Sequence, residues 1–256
     1  MTKINPEVLR SWKAHRPRPL ALTAYDYPMA RILDEAGVDI LHVGDTLGMV
    51  VLGFPDTTHV TMDHIVHHTA AVSRATPKAL ITADLPIHSY DTPAQAVTNA
   101  RRLVDAGANA IKMEGGRRIR DEVTAVVEAG IAVQGHLGML PQHVLEEGGY
   151  KRKGKTSQQR DRLLDDAVLL ERLGCFSLVL ECVVPDVAAE VTRAVSVPTL
   201  GIASGNVCDG EIRVTHDIVG LFPWFVPPFV EPKEQVAARI GEAVRQLRSE
   251  IQGRSE

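Results

Sequence analysis

VDILHVGD at 38–45, ALITAD at 79–84 and AIKME at 110–114 are three short apolar runs that each close on an acid, Asp45, Asp84 and Glu114. Each run reads as a β-strand, and a segment of helical periodicity separates it from the next, so the carboxylates fall at the same ends of consecutive parallel strands. In a barrel of alternating strands and helices that end is where active sites are built. Three hard oxygen donors converging there suit Mg²⁺, which takes carboxylates, water and substrate oxygens. Single acids are common at strand ends as solvated residues or helix N-caps; three in phase point to a site.

Working outward, the same alternation runs through the chain. Strands are expected at 20–26, 38–44, 79–84, 109–114, 131–136, 176–181, 198–202 and 213–220. Helices fit between them at 27–37, 62–75, 93–106, 118–129, 159–173 and 185–195, with a short leading helix at 6–14 and a closing one at 232–250. DEAGVDI, VDAGANAI, VEAGIAV and ERLGCFSL repeat one helix, glycine, strand step, with Gly37, Gly107, Gly130 and Gly174 suited to left-handed C-caps. The pattern predicts an α/β fold, a single-domain (β/α)₈ TIM barrel over 1–256, with an open doubly wound sheet as the alternative. A barrel of this kind takes roughly 250 residues, and no linker-like stretch marks a boundary between two smaller domains.

Lys and Arg total 28 against 32 for Asp and Glu, a net charge of −4 that offers no basic field for nucleic acid. Cys175, Cys182 and Cys208 are scattered and form no CxxC pair, so neither a disulfide framework nor a thiolate zinc site is expected, and a reducing cytosol is the natural home. The first residues carry no apolar signal core, and no run reaches the roughly 18 residues of a membrane span. A soluble cytoplasmic protein with no membrane partner is expected.

Positions two apart in a strand share a face, so Lys112 and Glu114 point the same way. A buried ammonium beside a carboxylate is costly without an anionic partner, which suggests a grip on a substrate carboxylate or a developing oxyanion; a structural Lys112–Glu114 ion pair explains it equally well. Glu181 ends SLVLEC and should be largely withdrawn from water, a setting that strengthens a carboxylate as a base for proton abstraction beside a carbonyl. His136, ending VQGHLG, could ligate metal, carry a proton or serve a structural bond. His67 and His68 lack an HExxH spacing, KRKGK at 151–155 reads as a solvated loop, and LFPWFVPPFV at 221–230 as a covering or subunit-packing segment. Two long loops, 48–61 and 137–158, follow the second and fifth strands at the expected catalytic end, where such loops hold substrate contacts or lids.

TAYD at 23–26, VGDTLGM at 43–49, HHTAAV at 67–72, ADLP at 83–86, AGANAIKMEGG at 106–116, GHLGMLPQ at 135–142, GGYK at 148–151, LVLEC at 178–182 and GNVCDG at 205–210 come in a characteristic order and spacing. In this the chain resembles the ketopantoate (3-methyl-2-oxobutanoate) hydroxymethyltransferase family from about residue 20 to about 220. The resemblance implies a (β/α)₈ barrel, Mg²⁺, 5,10-methylenetetrahydrofolate as one-carbon donor, a 2-oxo acid as acceptor, a role in pantothenate synthesis, and a homo-oligomer, a decamer of two stacked pentamers. It also implies that Asp45, Asp84 and Glu114 form the metal site, that Thr46 with Asp45, Asp84 and Lys112 contacts the oxo acid, and that Glu181 is the general base; His136 is a candidate accessory group from its strand-end position alone.

Some residues depart from the family pattern. Thr46 replaces the usual serine, GFPDTTHVT at 53–61 replaces a loop ending in STLPVT, and GHLGML replaces GHLGLT. LPIHSY places His88 where glycine or methionine is common, and GIASG at 201–205 replaces GIGAG. The expected reaction is hydroxymethyl transfer to 3-methyl-2-oxobutanoate through an enolate. A metal-dependent C–C lyase or aldolase on another 2-oxo acid is the alternative within enzymes; a barrel that has lost catalysis is the alternative outside them, and has no reason to keep these buried charges.

Overall fold

The helix, glycine, strand phrases close as the sequence predicts. Gly37 N–H donates to Asp34 O and Val38 N–H to Leu33 O, the paired bonds of a Schellman turn, with Val38 packed where Leu33 ends the helix. The same pair recurs at Gly107/Ala108, Gly130/Ile131 and Gly174/Cys175, each glycine at positive φ. At Gly107, φ is +109° and a Cβ would lie 2.3 Å from Ser73 Cβ, so only glycine fits.

The computed structural model describes residues 3–13 and 18–253. The order is α1 (Pro6–Arg10), β1 (Leu20–Thr23), α2 (Tyr27–Glu35), β2 (Ile40–Val43), α3 (Leu47–Val50), α4 (Met62–Ser73), β3 (Leu80–Asp84), α5 (Pro93–Asp105) and β4 (Ala110–Glu114). It continues with α6 (Arg120–Glu128), β5 (Val133–Gly138), α7 (Ser157–Arg172), β6 (Ser177–Glu181), α8 (Pro185–Ala194), β7 (Thr199–Ile202), β8 (Gly210–Arg213), α9 (Thr215–Ile218) and α10 (Val236–Gln252). Asp26, Thr61, Thr92 and Thr156 start α2, α4, α5 and α7 by accepting a backbone N–H on their side chains. The expected leading helix ends sooner, at Arg10, and its predicted last residue, Ala14, lies outside the described residues.

All eight strands are consecutive neighbours in a closed barrel, which removes the open-sheet alternative. Strand pairing is parallel from β1 through β8, and Glu211 N–H donates to Pro19 O beside the closing seam. Ala21, Ile40, Leu80, Ala110, Val179, Leu200 and Ile212 form one core cluster with Leu9 of α1, while the alternate residues Leu41, Val43, Ile81, Ala83, Ile111 and Met113 join the larger cluster with the helices. Strand alternation therefore puts His42, Thr82, Asp84, Lys112, Glu114 and His136 on the inner face, above the apolar layer.

The eighth strand is the correction. The expected strand at 213–220 is instead β8 at Gly210–Arg213 followed by the helix turn α9. Gly210 is needed for close approach: a Cβ there would lie 2.3 Å from Pro19 O. By its contacts the chain falls into two compact units, Met1–Ile212 and Arg213–Glu256. In the second, Lys233 N–H donates to Ile218 O and Val236 N–H to Val219 O, which ties the irregular 219–235 segment to α9. The expected start of the last helix at 232 moves to Val236.

Candidate active site

Asp84 and Glu114 are the last residues of β3 and β4, and Glu181 is the last of β6. Asp45 follows β2 by two residues, and Thr46 stands at the start of α3. Register then decides the neighbours: Asp84 pairs across the sheet with Lys112, Glu114 with His136, and Gly138 with Glu181. The sequence-predicted residues are thus brought to one end of the barrel.

Lys112 Nζ lies 2.9 Å from Asp84 Oδ1 and 3.4 Å from Glu114 Oε1, so Asp84 rather than Glu114 is its closer partner. His136 Nδ1 lies 3.2 Å from Glu114 Oε1 and 3.3 Å from Lys112 Nζ, and its Nε2 lies 3.3 Å from Glu181 Oε2. Asp45, Asp84, Lys112, Glu114 and His136 are all buried. Glu181 is less withdrawn than expected, its side chain 17% exposed, so it sits at the open rim of the charged cluster. Thr46 is partly exposed and makes no capping bond with its hydroxyl.

The fields differ sharply over a few ångströms. Burial, reinforced by the nearby Asp84 and Glu114 charges, pushes Asp45 well above the ordinary carboxylate value. Burial would also raise Asp84, but Lys112 and His42 outweigh it and hold Asp84 below its ordinary value. Glu114 is likewise held low, by Lys112 and His136 against its burial. Burial disfavours the Lys112 ammonium, yet the three carboxylates around it keep it charged. His136 is pushed up to about 9: burial and Lys112 oppose its charge, and Glu114 and Glu181 prevail.

Three participants are absent from the sequence reading. His42 Nε2 approaches Asp84 Oδ1 at 3.4 Å while its Nδ1 shares a 2.8 Å hydrogen bond with Thr82 Oγ1. Its signal was present, since alternation in VDILHVGD puts it on the same face as Ile40. Gln142 and Tyr90 come from loops, where no periodicity reports direction. Gln142 N–H donates to Glu114 Oε2 (3.1 Å), its Nε2 donates to Asp45 Oδ2 and Leu85 O (both 2.9 Å), and Tyr90 OH donates to its Oε1 (2.5 Å).

Other singled-out residues stay outside the cluster. His68 Nδ1 hydrogen-bonds Tyr25 O at 2.6 Å, a structural role. Lys153 of the KRKGK run pairs with Glu147 of its own loop at 2.5 Å. Trp224 is 81% exposed, and Phe225 and Phe229 are also exposed. A pocket of about 270 Å³ opens beside the cluster, sharing Tyr90, Glu114 and Gln142 with it and bounded by Arg118, Glu122 and Glu146. Among the sequence-predicted site residues only Glu114 lines it, so it is a neighbouring space rather than the reaction chamber.

The donors suit a hard divalent cation. Asp84 Oδ1 is buried and, although Lys112 is near, no hydrogen bond is aligned on it. Asp45 has one oxygen engaged by Gln142 and, among the described residues, no ion-pair partner. Among the described residues no group of three or more His, Cys, Asp or Glu forms a ready metal cage. Mg²⁺ uses one or two carboxylates and completes its octahedron with water and substrate, so its binding does not require such a cage.

Residues 3–255 match the family model described as ketopantoate hydroxymethyltransferase. The chain belongs to the ketopantoate hydroxymethyltransferase family. It is 48% identical over 246 residues to the 3-methyl-2-oxobutanoate hydroxymethyltransferase of Ignicoccus hospitalis, covering 96% of this chain and 93% of that one. With the enzyme of the same name from Pyrobaculum neutrophilum it shares 52% over 231 residues, 90% of this chain and 88% of that one. In fold it is similar to phosphoenolpyruvate phosphomutase from Streptomyces platensis subsp. rosaceus (TM-score 0.64, 14% identity, 99% of this chain and 89% of that one). It is also similar to 2,3-dimethylmalate lyase, a PEP mutase/isocitrate lyase superfamily member (TM-score 0.58, 18% identity, 97% and 86%). Both are too distant in sequence to show more than the fold.

Two departures from the hydroxymethyltransferase family pattern now have a structural reading. His88 and Ala203 have φ of +62° and +52°, the left-handed region that favours glycine; the family pattern commonly has glycine or methionine at the first and glycine at the second. Ser204, where the family has alanine, donates to Leu180 O at 2.8 Å and accepts from Val183 N–H at 3.0 Å. It thereby stitches the ends of β6 and β7 together on either side of Glu181.

Proposed function

We propose that this chain transfers a hydroxymethyl group from 5,10-methylenetetrahydrofolate to 3-methyl-2-oxobutanoate, giving 2-dehydropantoate for pantothenate synthesis. The observation that carries the reading is the alignment, at one barrel end, of a buried Lys112–Asp84 pair with a rim carboxylate, Glu181, two strands away. Family membership and the 45–52% identical relatives that bear the enzyme's name support it.

Asp45, Asp84 and Glu114 are the residues that would hold Mg²⁺, and both oxygens of Glu114 are steadied by the hydrogen bonds they accept. A divalent ion there would supply Lewis acidity that makes the C3 proton of the oxo acid removable. Lys112 places a fixed positive charge beside the position where the enolate oxygen develops, a preorganised stabilisation that costs no rearrangement during the reaction. Thr46, whose hydroxyl makes no capping bond, offers that hydroxyl to the substrate. Glu181, open at the rim, takes the C3 proton, and the positively charged His136 beside it holds that carboxylate in place. The enolate so formed attacks the methylene carbon of the folate as one of its two C–N bonds breaks; water then cleaves the other, its hydroxyl staying on carbon as the hydroxymethyl group and its proton going to nitrogen, which frees tetrahydrofolate.

The same reading treats residues 1–256 as one functional domain and the protein as a cytoplasmic homo-oligomer. Three unpaired cysteines support a reducing compartment. Among the described residues no helix is long and apolar enough to cross a membrane. Ile240, Val244, Leu247 and Ile251 form an exposed stripe along α10 at heptad spacing, which supports association between copies. Incubation with the oxo acid, 5,10-methylenetetrahydrofolate and Mg²⁺ tests the activity: 2-dehydropantoate is expected. Cleavage of another 2-oxo acid without need of folate would instead support the lyase alternative.

A further inference from the structure

We infer that Gln142, locked by Tyr90, is the positioning residue that fixes how the Asp45 carboxylate is offered to a divalent ion. The inference rests on the reading above that Asp45 holds a divalent ion. Gln142 lies on the short turn Pro141–His143 after β5, reached by the long loop that carried no readable periodicity. Its side chain is buried, and every polar atom is used. The two amide hydrogens go to Asp45 Oδ2 and Leu85 O, each at 2.9 Å, and the amide oxygen receives Tyr90 OH.

The amide has only one workable orientation. Turned over, its oxygen would face two acceptors, Asp45 Oδ2 and the Leu85 carbonyl, and its NH₂ would face the Tyr90 hydroxyl. Tyr90 contributes by supplying a donor at the one place where the amide oxygen must sit. Tyr90 OH also lies 3.4 Å from Glu114 O, so it is held from the β4 side as well.

Two consequences follow for the carboxylates. Asp45 Oδ2 is held by the amide, and among the described residues Oδ1 accepts no hydrogen bond, so the amide fixes how the carboxylate faces an incoming cation. Glu114 Oε2 is steadied by the Gln142 backbone N–H, which survives any side-chain substitution, while Oε1 faces Lys112 and His136. One residue of a loop thus sets how two strand-end acids offer their oxygens, as outer residues commonly orient ligands at metal sites.

The test uses the full-length protein and Mn²⁺, with binding read by electron paramagnetic resonance in the absence of oxo acid. C3 proton–deuterium exchange of 3-methyl-2-oxobutanoate and thermal unfolding are followed in parallel. Gln142→Leu is expected to raise the Mn²⁺ dissociation constant by about 10- to 100-fold, the range seen when such supporting residues are removed. Tyr90→Phe should act in the same direction, by threefold or more, without a matching loss of thermal stability. Because Tyr90 works through the amide, the double variant should match Gln142→Leu alone rather than multiply the two effects. A folded Gln142→Leu protein within twofold of wild type in Mn²⁺ binding overturns the inference, and so does a multiplicative double variant. Should Gln142→Leu not fold, unchanged Mn²⁺ affinity in Tyr90→Phe overturns it. Wild type that neither binds Mn²⁺ nor exchanges C3 overturns both this inference and the proposed function; wild type that does both beside indistinguishable variants overturns this inference alone.

Discussion

His136 Nε2 stands 3.3 Å from Glu181 Oε2 while its Nδ1 stands 3.2 Å from Glu114 Oε1, so one histidine spans the rim carboxylate and a buried one. Raised to about 9, it is positively charged at neutral pH and holds Glu181 by charge without a well-aligned hydrogen bond on Nε2. His136→Gln should therefore lower the rate of C3 exchange by about tenfold, the scale for an orienting partner, with little change in KM for the oxo acid. An unchanged kcat would leave His136 a packing residue only.

Lys112 and Asp84 form a buried pair whose disruption should cost more than its replacement. Asp84→Asn leaves the ammonium without its 2.9 Å partner and should lower unfolding free energy by about 3 kcal/mol, the low end because Glu114 remains near. Adding Lys112→Met should restore most of that stability and none of the activity. Denaturant titration of the single and double variants checks this; full stability of Asp84→Asn would mean the pair is not desolvated.

Much of this arrangement is legible in the chain because two simple devices recur. The Schellman glycines Gly37, Gly107, Gly130 and Gly174 mark where helices yield to strands, and the acid that closes a run marks where a strand meets the catalytic end. β8 was displaced because Gly210–Arg213 opens on a glycine and holds a single apolar side chain, Ile212, and its decisive feature is a close approach to Pro19. Gln142 and Tyr90 escaped because loop direction is set by distant contacts, Asp45 and Leu85 among them.

Asp217 on α9 offers a pH dependence separate from the active site. Burial raises its carboxyl from the usual 3.8 to about 6. The folded state keeps this proton where the unfolded chain has lost it. The stabilising advantage is full below about pH 4 and is lost as pH rises to about 6. Asp217→Asn should accordingly stabilise the protein by up to about 3 kcal/mol at pH 7 and negligibly at pH 4. Equal gains at both pH values would show that titration of Asp217 is not involved.

Ala203 carries a side chain in the left-handed region, at φ +52°, where L-residues cost roughly 1–2 kcal/mol. Glycine there also loses more backbone freedom on folding, so Ala203→Gly should stabilise by at most about 1 kcal/mol. Thermal unfolding at matched protein concentration reads it. A clear loss of stability would mean that the alanine methyl packs well enough to outweigh its backbone strain.

The most direct test of the account is proton–deuterium exchange at C3 of 3-methyl-2-oxobutanoate with Mg²⁺ and no folate, comparing wild type with Glu181→Gln. The amide keeps the shape of the side chain but cannot accept the proton. Wild type should exchange C3 without folate, stop when Mg²⁺ is removed, and lose ~10² to 10⁴ in rate on Glu181→Gln with oxo-acid binding retained. A loss under tenfold, or exchange indifferent to Mg²⁺, would contradict Glu181 as the base and the metal-assisted enolisation on which the proposed function stands.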